Sequence, residues 1–272
     1  MSPLSRHSVL GVALAALAAS CAATFEPAEI APTPQRPRIG KNTQTTAQDS
    51  LELEAGIHWD PNDFVDTPVT LKYGVKDDLE FYFQTAVFRL YEFPAPIDNE
   101  TGIGDLGFGM RHRFDDGGDG GPAWAFELFG KIPTSDDRNG LGTGGIDPRL
   151  PGAFSGATDV RLACSVEQQA GDLELNGYVA LNSLGVPAGG TSYQLLLSGH
   201  VARPISESDS VFVELVGTFT EGISSQFLTQ AGFYRRIAAN MTADAAFGVG
   251  LDSDSPAFYI MLGLTTNFGY VR

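Results

Sequence analysis

From Leu51 to the C-terminus the chain alternates apolar and polar residues with a period of two, and no stretch after residue 23 approaches the about 18 consecutive apolar residues of a membrane-crossing helix. Successive side chains of a strand point to opposite faces, so this pattern builds a sheet with one greasy face and one polar face. In the first run Leu51, Leu53, Ala55, Ile57 and Trp59 share a face, with Glu52, Glu54 and His58 opposite. In the second, Val69, Leu71, Tyr73 and Val75 oppose Thr70 and Lys72. Asp77-Asp78 then turns tightly into Leu79, Phe81, Phe83 and Val87, which oppose Glu80, Tyr82 and Gln84, a hairpin signature. A fourth run sets Leu106, Phe108, Met110 and Phe114 against Asp105, Arg111 and Arg113. A fifth sets Trp124, Phe126, Leu128 and Ile132 against Glu127 and Lys131, and a sixth sets Val160, Leu162, Cys164 and Val166 against Asp159, Arg161 and Glu167. Six more runs follow, near 173–181, 192–202, 210–219, 225–235, 241–251 and 257–270. The total of about twelve is even, as a single-chain bacterial barrel requires.

A soluble sandwich also alternates, so the connections decide. Those after Val75, Phe114, Gln168, Arg203 and Arg236 are short, whereas others include the stretches from Arg89 to Gly102 and Pro133 to Ser155. Short turns on one side and longer loops on the other mark an up-and-down antiparallel transmembrane β-barrel inserted from the periplasm. Closure is compulsory there, because hydrocarbon offers no water to satisfy a free strand edge. The fold expected is all-β, with residues 51–272 forming the barrel.

Export is expected from the first 23 residues. Arg6 and His7 precede an apolar run from Val9 to Ala19 and the small residues Ser20, Cys21, Ala22 and Ala23, the layout of a cleaved signal peptide over residues 1–23. Leu17-Ala-Ala-Ser-Cys21 also fits a loose lipoprotein box, in which Cys21 is acylated. The one other cysteine is Cys164, so loss or acylation of Cys21 precludes an internal disulfide. Residues 24–50, rich in Pro, Ala, Thr and Gln without an apolar period, read as a flexible periplasmic lead.

A formal net charge of −16 without any Lys/Arg cluster excludes nucleic acid as a partner. The partners expected are outer-membrane lipid, the outer-membrane assembly machinery and a small solute whose identity the sequence does not carry. Gly140-Leu-Gly-Thr-Gly-Gly145 spells the dinucleotide fingerprint, but Pro148 and Pro151 forbid the helix that must follow it. Asp115-Asp-Gly-Gly-Asp-Gly-Gly121 reads as a solvated turn ahead of a calcium loop. Four histidines, His7, His58, His112 and His200, show no converging nucleophile and orienting carboxylate. No catalytic residue, metal ligand or cofactor is therefore expected.

The functional weight falls on the polar face. Lys72, Glu80, Asp105, Arg111, Arg113, Glu127, Lys131, Asp159, Arg161 and Glu167, with Glu52, Glu54 and Glu174, are the candidates to line a lumen. They line either a narrow aqueous path, with the 133–155 loop as its gate, or an internal salt-bridge network that fills the barrel. Their mixed signs argue against strong selectivity for either sign of ion. The readings are thus a transporter or channel for small compounds, a closed structural barrel, or an exported lipid-anchored β-sandwich.

Three motifs carry a family resemblance. Leu71-Lys-Tyr-Gly-Val-Lys-Asp-Asp-Leu-Glu80, Gly102-Ile-Gly-Asp-Leu-Gly-Phe-Gly-Met-Arg-His-Arg113 and Lys131-Ile-Pro-Thr134 resemble the outer-membrane family described as phenol-degradation meta-pathway proteins, also labelled transporters. The resemblance covers Leu71 to Leu181 best. It implies an outer-membrane location and uptake of small apolar or aromatic compounds. The chain departs from such barrels at its end, where Phe268 and Tyr270 precede a terminal Arg272 in place of a terminal aromatic residue.

Overall fold

A computed structural model describes residues 25–26, 29–61, 64–91, 100–134, 157–185 and 189–271. In chain order the strands are β1 (Phe25–Glu26), β2 (Ser50–Asp60), β3 (Phe64–Lys76), β4 (Leu79–Tyr91), β5 (Glu100–Gly102), β6 (Leu106–Asp116), β7 (Ala123–Ile132), β8 (Asp159–Ala170), β9 (Leu173–Gly185), β10 (Thr191–Pro204), β11 (Asp209–Thr220), β12 (Gln226–Ala238), β13 (Met241–Gly250) and β14 (Phe258–Val271). Twelve are long, β2 to β4 and β6 to β14. Each pairs antiparallel with the next, and β14 pairs back onto β2 from Ile260↔Trp59 to Tyr270↔Ser50. The result is a closed twelve-stranded up-and-down barrel. The sandwich alternative falls with that closure, because one continuous sheet returns to its own first strand.

The alternation fixes which side faces out. Phe81, Phe108, Leu181, Val213, Leu215, Phe247 and Leu262 stand on the outer surface and are each at least half exposed. On the same strands Glu80, Gly109, Ala180, Glu214, Ala246 and Met261 point inward and are buried. An outer wall of large apolar groups is costly in water and favourable in hydrocarbon, and strands of 10 to 14 residues span such a layer when tilted. No helix among the described residues is long and apolar enough to cross a membrane.

Two findings correct the sequence reading. The stretch from Arg89 to Gly102, expected to be a loop, begins inside β4, and β5 pairs back on β4 at its far side. A register shift between Asp66 and Pro68 re-aims the end of β4, so that Arg89 turns inward beside Asp66. The second concerns residues 24–50. Composition suggests a flexible periplasmic lead, but the middle of residues 29–49 is packed inside the lumen. Gln35, Arg38, Ile39, Asn42, Thr43, Thr45 and Thr46 are buried there. An apolar period is not needed to fold this segment, because the surface it meets is polar.

That segment enters and leaves through one end of the barrel. β1 pairs with Tyr270 and Val271, and Ser50 pairs with Tyr270 as well. The tight turns at 77–78, 171–172 and 239–240 lie at the same end. The signal region 1–23 with Cys21, the Gly140–Gly145 motif, nearly all of the 133–155 loop and the terminal Arg272 lie outside the described residues.

Candidate functional site

Register places opposite charges directly across from each other on the inner wall, which is the arrangement that stabilises neighbouring strands. Glu52 of β2 is the cross-strand partner of Lys72 on β3, and Glu80, Arg111 and Glu127 form one row across β4, β6 and β7. Lys72 ion-pairs with Glu52 and, at 2.6 Å, with Glu54. Arg111 bridges Glu80 at 3.0 Å and Glu127 at 2.6 Å. Lys131 lies 3.0 Å from Asp105 and 3.1 Å from Asp159. Arg161 sits 3.9 Å from Glu127 and donates to Asn182, while Arg89 pairs with Asp66 at 2.7 Å.

Eight of the residues singled out from sequence, Lys72, Glu80, Asp105, Arg111, Glu127, Lys131, Asp159 and Arg161, are buried within this network. Glu167 is half-buried and accepts from the Thr43 amide at 3.5 Å. Arg113 is not in the network. The last residue in register before the bulge between Arg113 and Asp115, it pairs across from the buried Ala125 and reaches the turn, where it donates to the Asp77 carbonyl. The alternation rule alone would also have found Glu214 and Asp244, each flanked by outward apolar neighbours on a late strand. Arg36, Arg38 and Lys41 carried no such signal, since nothing in an aperiodic segment tells which way its side chains face.

The inserted segment is held mainly through its own backbone, and wall carboxylates accept most of those hydrogen bonds. Thr33 donates to Glu52 at 2.9 Å, Gln35 to Glu54 at 2.8 Å, and Thr46 to Glu80 at 2.8 Å. Glu214 accepts from both Ile39 and Gly40, at 2.9 and 2.7 Å, and also from Ser198 and Gln230. The Thr33 and Pro37 carbonyls accept from Lys72 and Gln230. Buried main-chain groups need such partners, and here the wall supplies them in place of water. Two glycines permit the close approach. A Cβ at Gly40 would lie 2.5 Å from Ser198 Oγ, and one at Gly74 would lie 2.1 Å from the Ala47 carbonyl oxygen.

The lumen has two characters. Ionised side chains crowd the β2 to β8 side, whereas Leu196, Phe212, Val216, Leu228, Tyr259 and Met261 make an inward apolar strip, on which Ile39 packs. This strip was not legible from charge alternation, because both faces of those strands carry apolar residues. His200 lies beside Phe212, ring centroids 5.0 Å apart. Neither of its nitrogens has a hydrogen-bond partner among the described residues, and Ser198 donates to Glu214 instead. The proton relay of a hydrolase is not assembled there.

No protein-family model matches the chain, and no curated protein matches it. Solved structures do. An outer membrane channel from Pseudomonas putida F1 superposes with a TM-score of 0.58 at 14% identity, over 87% of this chain and 99% of that one. The KdgM porin gives 0.53 at 7% identity and the NanC porin 0.52 at 8%, each over 79% of this chain and 98% of its own. At these identities the likeness is one of fold, and the fold is that of outer-membrane channel and porin barrels.

Proposed function

We propose that the chain is a bacterial outer-membrane channel for small compounds, shut in the conformation described here by residues 29–49 and opened when that segment withdraws. The observation that carries this reading is the combination of a greasy outer wall with a charged lumen whose obstruction is a separate, backbone-held segment rather than the wall itself. A structural barrel needs only the ion pairs. The segment adds a removable element. The apolar strip opposite the charged side, together with the resemblance noted in the sequence, supports small apolar or aromatic solutes as the cargo.

The test is conductance in planar bilayers, paired with liposome swelling. The full chain is expected to give small or rare current steps, and a variant lacking residues 29–46 large and frequent ones. Buried wall carboxylates Glu52, Glu54, Asp66, Glu80, Asp105, Glu127, Asp159, Glu214 and Asp244 outnumber buried wall cations Lys72, Arg89, Arg111, Lys131 and Arg161. The open variant is therefore expected to prefer cations, read from the reversal potential in a salt gradient. Absence of conductance and of swelling in the deletion variant, with its barrel intact, would favour the closed structural reading.

A further inference from the structure

Three inward carboxylates, Glu174 on β9, Glu214 on β11 and Asp244 on β13, have no cation of the wall within ion-pair range among the described residues. The opposite side of the lumen differs, because there Lys72 serves Glu52 and Glu54, and Arg111 serves Glu80 and Glu127. What completes the β9 to β13 side is a stretch of peptide. Arg36 lies 3.9 Å from Asp244, and Arg38, two residues on, lies 3.5 Å from Glu174 and donates to Tyr234 at 3.1 Å. The Pro37 carbonyl accepts from Gln230, and the amides of Ile39 and Gly40 donate to Glu214. Between these polar contacts the Ile39 side chain packs on the apolar strip.

The fit of the first arginine is incomplete. Neither oxygen of the buried Asp244 has a hydrogen-bond partner, and neither has Nε of Arg36, whose Nη2 donates instead to the Leu262 carbonyl at 2.9 Å. A buried carboxylate whose cation stops short of hydrogen bonding is left poorly compensated. A free ligand, not held at both ends as the segment is, can close that gap with a two-pronged guanidinium contact.

We infer that this side of the lumen is a binding site for short basic peptides with the order basic, any, basic, apolar, glycine, and that residues 36–40 occupy it as a built-in stand-in for that ligand. The inference rests on the channel reading in one respect, that the segment can withdraw. It goes beyond it in naming a second class of ligand, recognised through main-chain amides and paired charges as well as an apolar side chain. Glycine is required last because a Cβ at Gly40 would lie 2.5 Å from Ser198 Oγ. The tethered segment competes at an effective concentration of about millimolar, so an added peptide binds more tightly once seating is weakened.

The test uses the purified full chain in detergent micelles and the acetylated, amidated pentapeptide Arg-Ala-Arg-Leu-Gly. In the control peptide, citrulline, uncharged and nearly isosteric, replaces both arginines. The Gly40→Val variant keeps every wall residue but burdens the segment with a side chain that meets Ser198. Calorimetry is expected to show the basic peptide binding Gly40→Val at least tenfold more tightly than the unaltered chain, and the citrulline peptide binding either at least tenfold more weakly. On the unaltered chain, saturating basic peptide is expected to raise deuterium uptake at the amides of Ile39 and Gly40 as the segment is displaced. Equal affinity for the two peptides or unchanged deuterium uptake at saturation overturns the site, and so does a folded Gly40→Val that binds no more tightly, since a peptide held by the acidic turns outside the lumen would treat both chains alike. If Gly40→Val does not fold, the two peptides and the deuterium uptake of the unaltered chain decide. Displacement by the peptide without conductance in the deletion variant would uphold the site and count against the channel reading. Large currents in that variant with no displacement would do the reverse.

Discussion

Glu214 is the residue on which the inserted segment most depends. It accepts from two consecutive backbone amides, Ile39 and Gly40, and its other partners, Ser198 and Gln230, fix its carboxylate in place. Hydrogen bonds to a charged acceptor are worth about 1.5–3 kcal/mol each, and their loss leaves buried amides unsatisfied. Glu214→Ala is expected to weaken seating by about 3 kcal/mol, seen as faster proteolysis within residues 29–49 while the barrel keeps its heat-modifiable gel shift. Lys41 makes a second residue-scale prediction. Burial lowers its amine to about 8, whereas a released segment returns it to the ordinary value of about 10.4. Between those values the released form binds more protons, so seating strengthens as pH rises from about 8 to about 10 and is level below about 8. The groups facing Lys41, Glu54, Glu127, Arg111 and Arg161, are carboxylates and guanidinium groups that ordinarily titrate far from that window. Protease protection measured against pH should show this slope, and Lys41→Met should abolish it.

At the scale of strands, the row Glu80–Arg111–Glu127 joins β4, β6 and β7 through one guanidinium. Arg111→Met leaves two carboxylates facing each other inside the wall, and breaking a buried pair in this way costs about 3–5 kcal/mol. The temperature at which the folded gel band is lost should fall accordingly, whereas Arg113→Met, at the turn, should leave it nearly unchanged. Strand positions and most inward charges were legible because period two assigns a face to every residue at once, as at Glu52/Lys72 and Arg111/Glu127. That rule fails where the strand bulges, as in β4 beside the shift between Asp66 and Pro68, where Arg89 faces inward although the sequence read it as loop. It is silent for residues 29–49, whose position is set by hydrogen bonds between their backbone and Glu52, Glu54, Glu80 and Glu214, pairings no local pattern encodes.

For the whole molecule, the outer wall decides the solvent it needs. Leu215 stands on the lipid side at the middle of β11 and is 58% exposed. Leu215→Arg is expected to cost about 2–4 kcal/mol of folding stability in bilayers, measured by denaturant titration in liposomes, with a much smaller effect for the same change at Leu251 beyond the strands. The pinning of the inserted segment at both of its ends, beside Tyr270 and Val271, has a kinetic meaning. A stopper on two short leashes never diffuses away, so recapture is a first-order event set by the leash length rather than by how much protein is present. A free peptide of the same sequence offered to a barrel lacking it would have to reach about millimolar levels to match that local supply.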